Sequence, residues 1–267
     1  MNRIVPGILL AIGWLLLLAL GSFQLFWGAM VLIGFLGSRE YCRMAFADYL
    51  YESDRVLLPL ILILPILGAL FCRQSAVVVP AGLLLGFITL AVYVFNHYHR
   101  FEAPLMVLSR GTLGLVFVGF LASHLILIRG LGDGASWLII LTAITAGSDT
   151  GAYFIGSRLG RRKLCPNISP NKTVEGGFGG VAGGVVAGLV FYLIFPVAAP
   201  IWVVAVLAVL LSVAGMVGDL VESVVKRGYR VKDSGTLLGG HGGVLDRIDS
   251  LLLASPVLYY MLIYSGF

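Results

Sequence analysis

The sequence contains very few charged residues for its length of 267 residues. Only 12 % of its residues are charged, whereas 59 % are apolar and the mean hydropathy is +1.01. A soluble domain of this size could not cover its surface with so few polar side chains. The composition therefore excludes a soluble protein and predicts an all-α polytopic membrane protein.

Residues that bind soft metals or form disulfides are also sparse. The three cysteines, Cys42, Cys72 and Cys165, are scattered and contain no C-x-x-C pair, which argues against a zinc or disulfide framework. The four histidines do not cluster with them, so a soft-metal site is disfavoured. The sequence also lacks the G-x-x-x-x-G-K-[ST] pattern, which excludes a P-loop.

Nine apolar stretches are candidates for membrane spans, which need about 20 residues each. The first is predicted to be uncleaved, because no clear small-residue cleavage site follows it. The second is short, and the third contains two prolines. The stretches are Ile4–Leu20, Phe23–Leu36, Val56–Phe71, Ala76–Phe95, Gly111–Ile128, Ser136–Ile155, Gly176–Phe195, Ile201–Val225 and Leu245–Tyr264.

The basic residues are distributed unequally between the two sides that nine alternating spans would define. One side carries 16 of the 18 Lys and Arg residues and the other carries only Arg73 and Arg129. The positive-inside rule then predicts a cytoplasmic N-terminus and an external C-terminus, in the cell (inner) membrane. The mixed segment Ser38–Arg55 is predicted to form a short helix at the cytoplasmic interface.

Acidic residues inside apolar spans indicate a functional site, because an unpaired charge in the bilayer core is costly. Asp149 and Asp219 lie well inside spans, and Glu222, Asp246 and Asp249 lie nearer span ends. Helical spacing places the acids of each helix on one face, and in the nine-span topology all five lie on the cytoplasmic side. We expect them to converge in a polar cavity that is open to the cytoplasm.

Oxygen ligands of this kind are typical of Mg²⁺, commonly with substrate phosphates completing its shell. Two other interpretations of the acids stay open at this point. Each acid could be neutralised by a nearby Arg or Lys for structural reasons, or the acids could form a proton relay as in transporters.

A second polar region spans Ser157–Gly177. Ser169 begins a turn, and Lys172 and Thr173 follow it, a combination that suits phosphate oxygens. The run Arg161 to Lys163 is interpreted instead as a topology signal that attracts lipid headgroups. The glycines of the span that follows are interpreted as a face for close helix packing.

The segment Ser223–Asp249 carries closely spaced cations, glycines and carboxylates. Over its 27 residues it resembles the signature of the phosphatidate cytidylyltransferase (CDP-diacylglycerol synthase) family, with no departure within it. Segments around Asp149 and Ser169–Gly176 also look like family features, except that many members have Lys where Asn171 stands. The matching positions of the signature are Ser223, Lys226, Arg227, Lys232, Asp233, Gly235, His241, Gly242, Gly243, Asp246, Arg247 and Asp249.

The resemblance implies transfer of CMP from CTP to phosphatidic acid, with Mg²⁺ bound as one ion or two, in a homodimer that has no nucleic-acid partner. It implies a division into N-terminal spans (1–110) and a catalytic region (111–267). Catalytic roles fall to Asp219, Asp246, Asp249 and Lys226. Metal ligands would come from Asp219, Asp246, Asp249, Asp149 and Glu222. Substrate binding would fall to Ser169, Lys172, Thr173, Ser223, Arg227, Lys232, His241, Gly242, Gly243 and Arg247.

Other functions share part of this pattern. A CTP-dependent polyprenol or dolichol kinase, or a CDP-archaeol synthase, would share the membrane spans and the nucleotide chemistry. The complete signature argues against the kinase. An ion-coupled transporter would use the buried acids for coupling, but it would place them near the midplane, and no inverted repeat is evident.

Overall fold

The computed structural model describes residues 4–47, 54–72, 77–237 and 242–266. These residues are mostly helical. Short 3₁₀ turns follow α4 and α5, and a π-helical segment, Leu115–Phe120, joins α6 to α7. The α-helices are α1 (Ile4–Leu20), α2 (Phe23–Ala45), α3 (Asp54–Leu62), α4 (Leu64–Gly68), α5 (Val78–Asn96), α6 (Pro104–Gly114), α7 (Leu121–Arg129), α8 (Gly134–Leu159), α9 (Val174–Ile194), α10 (Ile201–Gly228) and α11 (Leu245–Ser265).

The prediction of an all-α protein with several membrane spans is confirmed. Six helical segments in the described residues are long and apolar enough to cross a membrane, if α6, the π-helical segment and α7 count as one (Pro104–Arg129), and a bent pair could form a seventh span. Each of the nine predicted stretches overlaps a helical segment, but nine crossings stay a prediction.

The bent pair is α3 and α4 with the turn after it, and its two halves meet at 52°. The break falls at Ile63, two residues before Pro65. A proline inside a helix has no N–H to donate and clashes with the carbonyl four residues earlier, so the helix bends there.

The structure contradicts the prediction of a separate interfacial helix over the first part of Ser38–Arg55. Helix α2 does not stop at Leu36 but continues to Ala45, and Glu40 and Tyr41 on its last turns are buried. Both residues have partners inside the protein: the Tyr41 hydroxyl donates to the carbonyl of Arg110 at 2.7 Å, and Glu40 accepts from backbone N–H groups. Residues 48–53 of the predicted interfacial helix lie outside the described part of the chain.

Contacts divide the chain into two compact units. The first unit comprises Met1–Gly13, Leu20–Gly130 and Asp233–Arg247. Its core is apolar and centres on α2, α5 and the π-helical segment, with Phe26 and Leu115 fully buried. A buried carboxylate on Asp54 pairs with the guanidinium of Arg100 at 2.8 Å.

The second unit comprises Trp14–Ala19, Leu131–Lys232 and Ile248–Phe267. Within it, α8 and α9 approach each other through glycines. A Cβ added to Gly151 would lie 2.3 Å from the carbonyl oxygen of Gly179, and one added to Gly183 would lie 2.4 Å from that of Gly147. The structure thus shows the close packing that the glycines of the seventh stretch predicted.

A short antiparallel hairpin connects α8 to α9. Strand β1 (Lys163–Cys165) pairs with β2 (Ser169–Thr173), with Lys163 opposite Thr173 and Cys165 opposite Ser169. The sequence predicted a turn that starts at Ser169, but the turn falls at 166–168 and Ser169 begins the second strand. With so few residues in each strand, no period-2 alternation is long enough to be recognised.

Packing between α8 and α9 leads to a first prediction. Replacement of Gly151 by Ala is expected to lower the free energy of unfolding by about 1–3 kcal/mol, because the new Cβ meets backbone that cannot move aside. The measurement is a thermal or SDS unfolding curve of purified protein in detergent.

The matched control is Gly28→Ala in α2, where an added Cβ meets nothing within 4 Å. This variant is expected to be as stable as the wild type, or more stable by up to about 1 kcal/mol, since Ala favours helix over Gly. Equal losses in both variants would contradict the packing argument.

Candidate metal and phosphate site

Three carboxylates of the second unit form a compact group. Ligand oxygens of Asp219, Glu222 and Asp249 all lie within 4.8 Å of one another. Asp219 and Glu222 are one turn apart on α10, so they share a face. Helix α11 comes close because Gly218 has no side chain; a Cβ there would lie 2.7 Å from the carbonyl oxygen of Asp249.

Two lysines neutralise part of this charge. Lys226 Nζ lies 2.7 Å from Glu222 Oε2, and Lys172 Nζ lies 2.5 Å from Asp219 Oδ2. Asp249 Oδ1 accepts hydrogen bonds from the N–H and the hydroxyl of Ser250 at 2.6 and 3.2 Å. Three carboxylates and two ammonium groups carry a formal charge of −1. The group can therefore attract a cation, while its lysines can attract phosphates.

A cavity of about 670 Å³ lies beside this group, within the second unit. The end of α8, the hairpin, the start of α9 and the middle of α10 surround it. Its polar lining includes Asp149, Lys163, Ser169, Lys172, Thr173 and Asp219. The cavity thus brings together an acid of α8, an acid of α10 and the residues that the turn at Ser169 was predicted to supply.

The hairpin is held at its base by Glu175. The carboxylate of Glu175 accepts hydrogen bonds from the backbone N–H groups of Arg161 and Arg162, at 3.0 and 3.2 Å. Thr173 caps α9, since its hydroxyl accepts from the N–H of Gly176 at 3.1 Å. These contacts fix the strand that carries Lys172 relative to the start of α9.

Lys163 is a cavity residue that the sequence interpretation missed. By sequence it belongs with Arg161 and Arg162 to a predicted topology signal, but among these three only Lys163 lines the cavity. Its place follows from strand pairing, which sets it opposite Thr173. A hairpin register drawn around the turn before Ser169 could have indicated this.

Asp246 belongs to the first unit, where its oxygens are engaged by backbone and hydroxyl groups. Its Oδ2 accepts from the N–H and the hydroxyl of Ser234, both at 3.0 Å, and from the N–H of Gly243 at 2.7 Å. The preceding Gly242 has a φ of +76°, a conformation that L residues rarely adopt. The role of Asp246 as a metal ligand stays a prediction.

The remaining predicted binding residues are spread over both units. Ser223 lies on α10 among the acids and Lys226, whereas Arg227 and Lys232 are exposed near the end of that helix and beyond it. In the first unit, Gly243 is buried and Arg247 is exposed at the start of α11. His241 lies outside the described residues.

Comparison with known proteins identifies the family. A profile of the cytidylyltransferase family matches residues 1–265. The phosphatidate cytidylyltransferase of Synechocystis sp. (strain ATCC 27184 / PCC 6803 / Kazusa) is 35 % identical over 290 residues, covering 97 % of this chain and 94 % of that protein.

Other relatives align over a shorter part. The phosphatidate cytidylyltransferase of Bacillus subtilis (strain 168) is 42 % identical over 57 % of this chain and 56 % of its own length. That of Brucella suis biovar 1 (strain 1330) is 49 % identical over 55 % of this chain and 54 % of its own length. In both cases the alignment spans just over half of the relative.

The Lys226–Glu222 pair leads to a second prediction. Replacement of Lys226 by Met is expected to lower the free energy of unfolding by about 3 kcal/mol, since it leaves a carboxylate that is 1 % exposed without its cation. Unfolding curves in detergent measure this effect. The double variant Lys226→Met/Glu222→Gln removes both charges and should recover most of the loss. A double variant as unstable as the single one would contradict the assignment.

Proposed function

The chain belongs to the cytidylyltransferase family, and on this premise we propose that it is a phosphatidate cytidylyltransferase. It transfers CMP from CTP to phosphatidate, giving CDP-diacylglycerol and pyrophosphate. The proposal rests on the group of Asp219, Glu222 and Asp249, which lies with two lysines beside a cavity of about 670 Å³. The family profile matches residues 1–265 of the same chain. Substrates with several phosphates need such a mixture of cations and metal-binding oxygens.

The reaction forms one phosphorus–oxygen bond and breaks another. A phosphate oxygen of phosphatidate attacks the α-phosphorus of CTP, and the bond from that phosphorus to the oxygen bridging the β-phosphate breaks. Pyrophosphate leaves with the bonding electrons. The attacking oxygen is already ionised at neutral pH, so no strong general base is needed. Positioning and charge stabilisation then account for most of the catalysis.

The carboxylate group fits Mg²⁺. Its donors are hard oxygens, and three of them lie within 4.8 Å of one another, as ligands of a single ion must. We assign Asp219, Glu222 and Asp249 as its holders, with Asp149 as a further ligand should a second ion bind. Asp246 is proposed as a catalytic carboxylate of the same reaction. When bound, Mg²⁺ neutralises and orients phosphate oxygens.

The lysines of this chain bind the phosphates. Lys172 and Lys226 are held at the carboxylates by ion pairs, so their ammonium groups already lie where the phosphates would enter. Lys163 adds a third cation from the opposite strand of the hairpin. Together they screen the repulsion between two polyanionic substrates.

The setting of this reaction is also proposed. The protein would lie in the cell (inner) membrane with its N-terminus in the cytoplasm and its C-terminus outside, and the site would open to the cytoplasm, where CTP is present. The 16-to-2 distribution of basic residues supports this orientation. Phosphatidate would enter sideways from the bilayer. The homodimer rests on the family resemblance alone.

A third prediction tests the reaction. Purified protein in detergent is expected to release pyrophosphate only when CTP, phosphatidate and Mg²⁺ are all present. Asp249→Asn and Asp219→Asn should each lower kcat by about a hundredfold or more, as loss of a charge-positioning group does. The control is Asp133→Asn, because Asp133 accepts from the N–H of Ala198 at 3.0 Å and does not line the cavity. A folded wild type that is inactive with several lipid phosphates would contradict the proposal and favour a transport assay.

A fourth prediction concerns Lys163. Lys163→Met is expected to lower kcat/KM by about tenfold, the usual effect of losing one charge-assisted hydrogen bond to a phosphate. Separate titrations of CTP and phosphatidate show which substrate loses affinity. Arg161→Met is the matched control, since the contact that Arg161 makes to Glu175 uses its backbone N–H. Equal losses in both variants would indicate a general effect of surface charge.

A further inference from the structure

Glu40 of α2 is a buried carboxylate that contacts a distant part of the chain. Glu40 is only 4 % exposed to solvent. Its Oε1 accepts from the N–H of Val244 at 2.9 Å, and its Oε2 accepts from the N–H of Leu245 at 3.1 Å and from the hydroxyl of Ser234 at 3.1 Å. These donors follow Glu40 by 194 to 205 residues and all belong to the first unit.

Two of these donors lie at the start of α11. The first N–H groups of a helix have no partner within the helix, and an anion placed there also interacts favourably with the helix dipole. Side chains close to the helix start in sequence usually fill this role. Here another helix supplies the acceptor, so Glu40 fixes where α11 begins relative to α2.

The surrounding backbone is fitted to this carboxylate. A Cβ added to Gly243 would lie 2.4 Å from Glu40 Oε2, and one added to Gly235 would lie 2.6 Å from Glu40 Oε1. Both glycines are positions of the family signature. Their lack of a side chain is what allows the segment to close around Glu40.

Ser234 connects Glu40 to Asp246. Its hydroxyl lies 3.1 Å from Glu40 Oε2 and 3.0 Å from Asp246 Oδ2. The same Asp246 oxygen accepts from the N–H of Gly243, whose neighbour Val244 donates to Glu40. The orientation of the Asp246 carboxylate is therefore set by groups that Glu40 holds.

We propose that Glu40 is a positioning residue for Asp246, acting through Ser234 and the backbone of residues 243–245. This inference rests on the proposed function, in which Asp246 is a catalytic carboxylate. Glu40 does not itself touch substrate. It differs from the buried Asp54, whose carboxylate pairs with the guanidinium of Arg100 in the same unit.

The first experiment measures amide hydrogen exchange in detergent on wild type, Glu40→Gln and Asp54→Asn. Gln keeps the size of Glu40, but its NH₂ group faces a backbone N–H donor where a carboxylate oxygen accepted before. Peptides that contain Val244 and Leu245 should therefore exchange their amide hydrogens about tenfold faster. Asp54→Asn removes a buried charge from the same unit and should leave that exchange unchanged. Unchanged exchange in Glu40→Gln, or an equal rise in Asp54→Asn, would overturn the proposal.

The second experiment measures pyrophosphate release by Glu40→Gln, Ser234→Ala and the double variant. Each single change should lower kcat by about tenfold per folded molecule with little change in the KM for CTP, because loss of orientation acts on the transition state. The double variant should lose no more than the worse single one, since both residues act through one network. Asp54→Asn should lower the melting temperature and keep kcat.

Three outcomes would overturn the positioning role. Faster exchange with an unchanged kcat would leave Glu40 with a structural role only. Additive losses in the double variant would mean that Ser234 and Glu40 act separately. A wild type that releases no pyrophosphate would contradict the proposed function and the positioning role with it, and the exchange data would then report on the hydrogen bonds alone.

Discussion

A carboxylate that is removed from water without a partner costs several kcal/mol or more. For four acids of this chain, the structure supplies the partner in one of two ways. Glu222, Asp219 and Asp54 are paired with Lys or Arg, whereas Glu40 accepts backbone N–H groups at a helix start. The first arrangement keeps cations beside carboxylates, where phosphates and metals can use them. The second ties distant parts of the chain together. At Asp219 and Glu222, the ion pairs that neutralise the carboxylates are therefore also the contacts that build the site.

Much of the fold could be predicted from local sequence. The nine apolar stretches overlap the helical segments, because a long apolar run can be recognised from neighbouring residues alone. The spacing of Asp219 and Glu222 placed them on one face, and the glycines of α9 indicated a close contact. The separate interfacial helix was the main error, since the turns of α2 that carry Glu40 and Tyr41 look interfacial by composition and are buried only through tertiary partners.

What could not be predicted depends on contacts between distant residues. Lys163 looked like its basic neighbours, and only the pairing of β1 with β2 distinguishes it. Glu40 was one acid in a mixed segment, and its donors are about 200 residues away. For Lys163 only the register of the hairpin could have indicated the contact, and the sequence around Glu40 contains no local signal for its donors. The family signature did place glycines at the positions that close around Glu40, although it did not indicate what they close around.

The contact between α8 and α9 has an evolutionary consequence. In most helix interfaces a larger side chain on one helix can be compensated by a smaller one on the other. Here the atoms that a new Cβ would meet include the carbonyl oxygens of Gly147 and Gly179, which are backbone and which no substitution removes. Neither helix can therefore rescue a change in the other. Replacement of one of these glycines should therefore not be accompanied by a compensating replacement of another. An alignment of relatives should show no covariation between these positions.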